Sequence, residues 1–190
     1  MADKTDEAIA KLVQNGEREA FGLLVERYEQ KMFRYARKFL LNPQDSEDLV
    51  QEVFIKAFIN IQGFNARRRF SPWLYRIAHN EFINALKKKG REPVPFFDSD
   101  TLFSQPIARE KTDSQVNAQD LQKTIGQCLE KLDPKYREPL VLYFYEDMDY
   151  QAIAEVLQIP MSTVGVRLKR AKEAMRRFYN EINYSHGERQ

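Results

Sequence analysis

Cysteine is almost absent from this 190-residue chain, in which Cys128 is the single example. One thiol cannot form an intramolecular disulfide or a Cys-rich metal cage, so Cys128 is expected to be a core residue. Histidine is also scarce, with only His79 and His186, and the sequence contains no Gly-rich phosphate loop or paired nucleophile. These absences disfavour an enzyme, and we expect no catalytic residues, no cofactor and no bound metal.

Long apolar runs are missing as well. The first 21 residues lack the apolar segment of a signal peptide, and no stretch approaches the length needed to cross a bilayer. We therefore expect a cytoplasmic protein that does not insert into a membrane.

Glycine is rare, with seven residues, whereas the helix formers Leu, Ala, Glu, Lys and Arg are frequent. Hydrophobic residues make up 43% of the chain, which is enough for substantial cores. From residue 92 to about 116 no helical period is visible, and Pro, Asp, Ser and Thr are typical of a linker. The sequence therefore predicts an all-α fold with two small helical domains joined by a flexible linker.

The net charge of +2 is the sum of segments with opposite net charge. Residues 61–91 carry +7, residues 92–161 carry −7 and residues 162–177 carry +5. Positive charge concentrated in two separate places indicates two contacts with a polyanion.

Apolar residues at spacings of three and four predict the inward face of each helix. In the first half these residues are Ala8, Ile9, Leu12 and Val13; Phe21, Leu24, Val25, Tyr28, Met32, Tyr35 and Phe39; Leu49, Val53, Phe54, Ala57 and Ile61; and Leu74, Ile77, Ala78, Phe82 and Ala85. In the second half they are Leu121, Ile125, Cys128, Leu129 and Leu132, followed by Leu140, Val141 and Phe144 in a helix that Pro139 is expected to kink. Asn42-Pro43, Ser71-Pro72 and Asp133-Pro134 are predicted to begin helices.

Residues 149–177, DYQAIAEVLQIPMSTVGVRLKRAKEAMRR, predict a helix-turn-helix. Asp149 is expected to cap a short helix that Ile159-Pro160 ends, and Ser162 to cap a second helix packed through Val164, Leu168, Ala171 and Met175. The outward side of that second helix carries Thr163, Val166, Arg167 and Arg170, with Lys169 and Lys172 beside them. A basic helix of this kind fits the major groove of DNA, although a basic face is often only a solvated one.

Residues 63–87 combine cations, aromatic rings and amides. The run Arg67-Arg68-Arg69 lies close to Phe70, Trp73 and Tyr75, and Arg76, Asn80, Asn84 and Lys87 share a helix face. Cations that follow a backbone, rings that stack on bases and amides that read base edges are typical of single-stranded nucleic-acid binding. The alternative is that the rings are core residues and the arginines are solvated.

Three motifs occur in order along the chain: DSEDLVQEVFIKAF at residues 45–58, FSPWLYRIAHN at residues 70–80, and LDPKYREPLVLYFYEDMDYQAIAEVLQIPMSTVGVRLKRAKEAM at residues 132–175. Together they resemble the extracytoplasmic-function sigma factors of bacterial RNA polymerase, a group of the sigma-70 superfamily. The resemblance implies sigma region 2 at residues 1–91, the linker at 92–116, sigma region 4 at 117–180, and a tail at 181–190 that frays after Tyr179. It also implies a subunit that binds core polymerase, recognises the −35 and −10 promoter elements and melts DNA.

The same resemblance assigns residues to partners. Asp48, Gln51, Glu52 and Phe54 would bind the coiled coil of the β′ clamp, although their helix face alone looks merely solvated. The −10 element would be read by Phe64, Arg67, Arg68, Arg69, Phe70, Trp73, Arg76, Asn80, Asn84 and Lys87, with one base flipped out of the stack. Duplex DNA at −35 would be read by Ser162, Thr163, Val166, Arg167, Lys169, Arg170 and Lys172. The β flap of the polymerase and an anti-sigma factor are further implied partners.

Gly165-Val166 departs from the family pattern, which often has Lys or Arg followed by Ser or Thr. Glycine removes a possible DNA contact and costs up to about 1 kcal/mol of helix propensity. A different interpretation of the whole chain is a stand-alone helix-turn-helix regulator that binds duplex DNA without polymerase.

Overall fold

The computed structural model describes residues 4–41, 43–88, 90 and 118–187, which form eight α-helices and contain no β-strand. The helices are α1 (Asp6–Gln14), α2 (Phe21–Leu40), α3 (Pro43–Asn60), α4 (Phe70–Lys88), α5 (Ala118–Lys131), α6 (Pro134–Phe144), α7 (Tyr150–Leu157) and α8 (Met161–Gly187), with short 3-10 turns at Arg18–Ala20 and Ile61–Gly63. The predicted all-α fold is confirmed. The predicted linker at 92–116 and the predicted cap Asn42 lie outside the described residues.

The N-terminal unit, α1 to α4, is built on the aromatic stripe of α2. Tyr35 and Phe39 are fully buried, and their ring centroids lie 5.9 Å apart. The ring of Tyr35 also contacts Tyr75 and Phe82 of α4, with centroids 5.4 and 5.1 Å away. Aromatic rings at such distances bury large apolar areas and add directional contacts. The predicted inward stripe of α2 is therefore confirmed, with Val25 only half-buried.

Helix α1 and the start of α4 differ from the sequence prediction. Ala8 is exposed and Ala10 is buried in its place, because the inward stripe of α1 is Ile9, Ala10 and Val13. Helix α4 begins at Phe70 rather than after a Ser71 cap. The backbone N–H of Phe70 instead donates to Oε1 of Glu7 in α1 at 2.9 Å. The first N–H groups of a helix have no acceptor within that helix, and here a carboxylate of another helix supplies one.

The C-terminal unit, α5 to α8, has the two predicted aspartate caps. Asp133 accepts a hydrogen bond from the N–H of Lys135 at 2.8 Å, and Asp149 accepts one from the N–H of Ala152 at 2.7 Å. Two predicted core residues are exposed: Leu121 by 37% and Phe144 by 53%. The described residues of α5 before Thr124 are exposed, and Phe144 is the last residue of α6, so both side chains lie beyond the core.

Helix α8 starts earlier and ends later than predicted. It begins at Met161, with the N–H of Val164 bonded to the carbonyl of Pro160 at 3.2 Å, so Ser162 lies inside the helix. It continues to Gly187 instead of fraying after Tyr179. Lys131 of α5 pairs with Glu181 at 3.8 Å and lies over the ring of Phe178, which holds the late turns of α8 against α5.

Candidate nucleic-acid interface

The loop between the second 3-10 turn and α4, residues 64–69, is anchored by hydrogen bonds to two residues of α1. The side-chain amide of Gln14 donates to the carbonyl oxygens of Ile61 and Phe64, each at 2.7 Å. Glu7 fixes the other end of the loop at Phe70. Within the loop, Oδ1 of Asn65 accepts a bond from the N–H of Arg67 at 3.0 Å. One nine-residue helix thus anchors both ends of the loop and keeps its three consecutive arginines at the surface.

Three rings predicted to contact DNA form a cluster at the base of this loop. Phe64, Phe70 and Trp73 lie with ring centroids 5.1–5.4 Å apart. Phe70 is fully buried, so the prediction that it contacts DNA directly is wrong because its ring fills the core below Trp73. Tyr75, grouped with these rings in the sequence, is also a core residue with 1% exposure. Trp73 is half-buried and faces the adjacent cavity.

That cavity has a volume of about 320 Å³, at the lower end of the range for small-molecule pockets. The N-terminal unit supplies Gly63, Phe64, Asn65, Arg68, Arg69, Pro72, Trp73 and Arg76, and the C-terminal unit supplies Glu155 and Gln158. Phe64, although only 5% exposed, lies in its wall. Cations and an aromatic edge around a space of this size suit a nucleobase with its phosphate.

A row of polar side chains extends from the cavity along α4. Arg76, Asn80, Asn84 and Lys87 are all exposed and share one helix face, as their spacing predicts. Arg67 and Arg68 are exposed beside this row. The structure therefore brings most of the predicted −10 residues onto one continuous surface, with Phe70 beneath it.

The residues predicted to bind polymerase lie on a different face, on α3. Asp48 and Gln51 are exposed and Glu52 is partly exposed, its carboxylate 3.6 Å from Nζ of Lys56. Phe54 is only 9% exposed and packs in the core beneath this face, so its contact with a partner stays a prediction.

Sequence reasoning missed two apolar residues on the same helix. Ile55 and Ile59 are 53% and 68% exposed and follow Gln51 and Glu52 at helical spacing. The signal was present in the sequence, because neither isoleucine fits the inward stripe of α3. Exposed isoleucines among polar residues are typical of a protein-binding patch.

The predicted DNA-reading helix is the first part of α8. Ser162, Val166 and Lys169 are exposed, and Thr163, Arg167, Arg170 and Lys172 are half-buried. Helix α7 ends at Leu157, and the next residue, Gln158, has a left-handed conformation with φ +54° that turns the chain toward α8. The ammonium of Lys172 lies 5.5 and 5.6 Å from the ring centroids of Tyr143 and Phe144 of α6. The rings of Tyr143 and Phe144 therefore lie beside the basic surface of α8. The sequence prediction had instead placed Phe144 in the core.

The two units are in direct contact through α2, α4, α6 and α7. Glu146, whose side chain is fully buried, accepts bonds from Nε and a second guanidinium nitrogen of Arg34 at 2.8 and 2.9 Å. Its carboxylate also accepts a hydrogen bond from the hydroxyl of Tyr75 at 2.5 Å. The hydrogen bond to Glu146 raises the pKa of the Arg34 guanidinium, and burial followed by the charge of Glu146 raises the pKa of the Tyr75 hydroxyl. Charge-assisted, bidentate bonds of this type are strong and directional.

Glu138 of α6 makes a second buried contact between the units. Its Oε1 accepts a hydrogen bond from the hydroxyl of Tyr35 at 2.5 Å and lies 2.7 Å from Nδ1 of His79. Burial opposes protonation of His79, but the Glu138 carboxylate outweighs it and raises the pKa of the imidazole.

A third contact reaches the arginine-rich loop itself. The guanidinium of Arg69 lies 2.9 Å from Oδ2 of Asp149, the residue that caps α7, and 3.3 Å from Oδ1. The hydrogen bond from Arg69, together with the N–H of Ala152, holds the pKa of the Asp149 carboxyl below its usual value. One member of the predicted −10 surface is therefore paired with the start of the helix-turn-helix.

Across the described residues, no three His, Cys, Asp or Glu side chains come together as a metal ion would require. No helix in that part of the chain is both long enough and apolar enough to span a membrane.

Comparison with known proteins gives matches along most of the chain. The family Sigma-70 region 2 matches residues 24–92, and the family Sigma-70, region 4 matches residues 122–175. The ECF RNA polymerase sigma factor SigW of Bacillus subtilis (strain 168) is 36% identical over 180 residues, which cover 90% of this chain and 95% of SigW.

Two solved structures have a similar fold. CnrH in complex with the cytosolic domain of CnrY has a TM-score of 0.71 at 25% identity, and the match covers 94% of this chain and 99% of that one. The sigma factor RpoE in complex with the anti-sigma factor NepR from Bartonella quintana has a TM-score of 0.66 at 25% identity, covering 84% and 96%.

Proposed function

Because this chain belongs to the extracytoplasmic-function sigma factors of bacterial RNA polymerase, we propose a specific division of promoter recognition among its surfaces. The protein is a sigma factor that binds core RNA polymerase, recognises the −35 and −10 elements and promotes DNA melting. The observation that carries this function is that sigma regions 2 and 4 occur in order in a chain matched along 90% of its length by one such factor. Family membership favours this function over that of a stand-alone regulator.

The polymerase-binding surface is the outer face of α3. Asp48, Gln51 and Glu52 supply the polar contacts to the coiled coil of the β′ clamp, and the exposed Ile55 and Ile59 supply apolar area. Apolar area with charged residues beside it is the usual composition of a protein interface. The C-terminal unit binds the β flap.

The −10 element is read by the loop 64–69 and the exposed row on α4. Trp73 and the cavity beside it receive a base flipped from the stack, and Arg67, Arg68 and Arg69 neutralise the phosphates on either side. Asn80 and Asn84 lie where amides would reach the edges of the following bases. Flipping costs a few kcal/mol of stacking, and this surface supplies replacement contacts without ATP.

The −35 element is read by the exposed side of α8. Arg167, Lys169 and Arg170 are its principal cations, with Ser162 and Thr163 near the helix N-terminus, where the backbone favours phosphate. The protein acts in the cytoplasm together with the polymerase. As in the RpoE–NepR complex, an anti-sigma factor is the expected antagonist.

Run-off transcription with purified core polymerase and fragments of the source genome tests this function. We expect discrete new start sites only when the protein is present. The double variant Gln51→Ala/Glu52→Ala should abolish core binding without unfolding the chain, since both side chains are at the surface. The matched control is Glu17→Ala/Glu19→Ala, at two exposed positions of the turn before α2, and it should bind core normally.

Two results would contradict the proposal. Core binding by the Gln51→Ala/Glu52→Ala variant would exclude the α3 surface. Tight binding to specific duplex sites without polymerase, and no new start sites with it, would favour the stand-alone regulator.

A further inference from the structure

Val166 is an exposed apolar side chain in the first part of α8, the helix that we assign to the −35 element. It is 46% exposed, whereas Val164 and Leu168, two positions before and after it, are fully buried. Two positions make slightly more than half a turn of a helix with about 3.6 residues per turn. Val166 therefore lies at the middle of the outward side of α8, opposite the core of the C-terminal unit.

The four residues that surround Val166 on the helix surface are polar. Ser162 and Thr163 lie one turn before it, and Lys169 and Arg170 lie one turn after it. A single exposed valine is ordinary on a protein surface, but this one lies within a segment that has a net charge of +5. Because that charge attracts a phosphate backbone, binding of DNA would place the apolar side chain against the groove.

The first residues of a helix that enters the major groove are the ones that contact base edges. In α8 the residues from Ser162 to Val166 are STVGV, and they include no Lys or Arg. A bidentate bond from Arg or Lys to guanine, the commonest specific contact, is therefore not available from this turn of the helix. The hydroxyls of Ser162 and Thr163 can bond to more than one base, so they do not select a base by themselves.

An aliphatic side chain distinguishes bases by a different feature. The C5-methyl group of thymine is the apolar group that a base pair presents in the major groove, and small apolar side chains pack against it. The branched side chain of Val166 carries two methyl groups and is exposed at the centre of the outward side of α8.

We propose that Val166 determines specificity at one position of the −35 element by packing against the C5-methyl group of a thymine. The contact rests on the proposed assignment of α8 to the −35 element and adds the base that one of its side chains selects. Cytosine has a hydrogen atom in place of that methyl group, so it loses the apolar contact. Burial of one methyl group corresponds to about a fourfold difference in affinity.

Replacement of single thymines tests this contact. A promoter found by the run-off experiment is randomised in its −35 region, and holoenzyme assembled from core polymerase and the full chain enriches the duplexes that it binds. Each thymine of the enriched −35 sequence, on either strand, is then replaced singly with deoxyuridine, which lacks the methyl group and keeps the hydrogen-bonding groups of the base. Fluorescence anisotropy measures the affinity of the holoenzyme for each labelled duplex.

The variant Val166→Ala removes both methyl groups at an exposed position. The matched control is Val25→Ala, the same change at a half-buried position of α2 that belongs to none of the proposed DNA or polymerase surfaces. Far-UV circular dichroism checks that both variants are folded. At one thymine, deoxyuridine should weaken binding by the wild type and by Val25→Ala about fourfold, whereas the Val166→Ala holoenzyme should bind both duplexes alike.

The outcomes separate this contact from the proposed function. If the wild-type holoenzyme tolerates deoxyuridine at every position, or if Val166→Ala keeps the same sensitive thymine, the methyl contact is overturned and the sigma function stands. An enriched −35 sequence without any thymine would overturn the contact in the same way. If the holoenzyme initiates at the promoter but enriches no sequence in the −35 region, the assignment of α8 fails and the contact fails with it.

Discussion

Replacing Glu138 with alanine removes the carboxylate that joins α6 to both α2 and α4. The hydroxyl of Tyr35, which is fully buried, loses its acceptor, and an unsatisfied buried hydroxyl costs about 1–3 kcal/mol. His79 loses its ion pair but can become neutral, so the larger cost of stranding a buried charge is avoided. We expect the free energy of unfolding to fall by about 2–3 kcal/mol.

Urea unfolding followed by far-UV circular dichroism measures this loss. With an m-value of about 2 kcal/mol/M, the midpoint urea concentration should fall by roughly 1–1.5 M. Glu138→Gln keeps an acceptor for Tyr35 and should cost about half as much, whereas Glu130→Ala should leave the midpoint unchanged. A loss below about 0.5 kcal/mol for Glu138→Ala would refute the reasoning that this carboxylate ties the two units together.

Four further outcomes are expected. Burial, Arg167 of α8 and Arg76 of α4 oppose protonation of His79, but Glu138 of α6 outweighs them and raises the pKa of the imidazole above its ordinary value of 6.5, so protonation stabilises the contact between the two units. This contribution is complete below pH 6.5 and is lost as the pH rises through the raised pKa, so the radius of gyration should grow on the alkaline side; a decrease would contradict this sign. Asn80→Ala should impair open-complex formation, measured by permanganate footprinting, more than initial promoter binding, and equal effects would count against base capture. Arg170→Ala should weaken promoter binding by the holoenzyme by about 1–3 kcal/mol if it reads a base, and an unchanged upstream footprint would exclude this role. Gly165→Ala should stabilise the protein by about 0.5–1 kcal/mol in thermal unfolding, since an added Cβ would meet only a ring carbon of Tyr150 at 3.6 Å, and a loss of stability would show that the helix needs glycine there.

Most helices were predictable because their signals are short-range. Thr5, Asp133 and Asp149 cap the helices that follow them through bonds to residues two or three positions ahead. The apolar stripe of α2 likewise repeats within one helix, and the three quoted motifs identified the family. The exposed polar row from Arg76 to Lys87 follows from helix periodicity alone.

The errors arise where distant residues decide the outcome. The cap of α4 comes from Glu7, 63 residues earlier, and no local pattern around Ser71 reveals it. In the sequence Phe70 directly follows the arginine run, but in the structure its ring packs against Phe64 and Trp73 in the core. The contact between Arg34 and Glu146 spans 112 residues, and the opposed charge blocks indicated attraction without identifying the partners.

The attachment of the loop 64–69 to α1 has a consequence for the free-energy cost of the proposed capture of a base. Gln14 and Glu7 fix the two ends of the loop during folding, so its conformational entropy is already lost before DNA arrives. Less of the binding energy is then consumed in ordering the protein, and more remains to offset the unstacking of the base. A helix that makes no proposed DNA contact thus influences how readily a promoter opens.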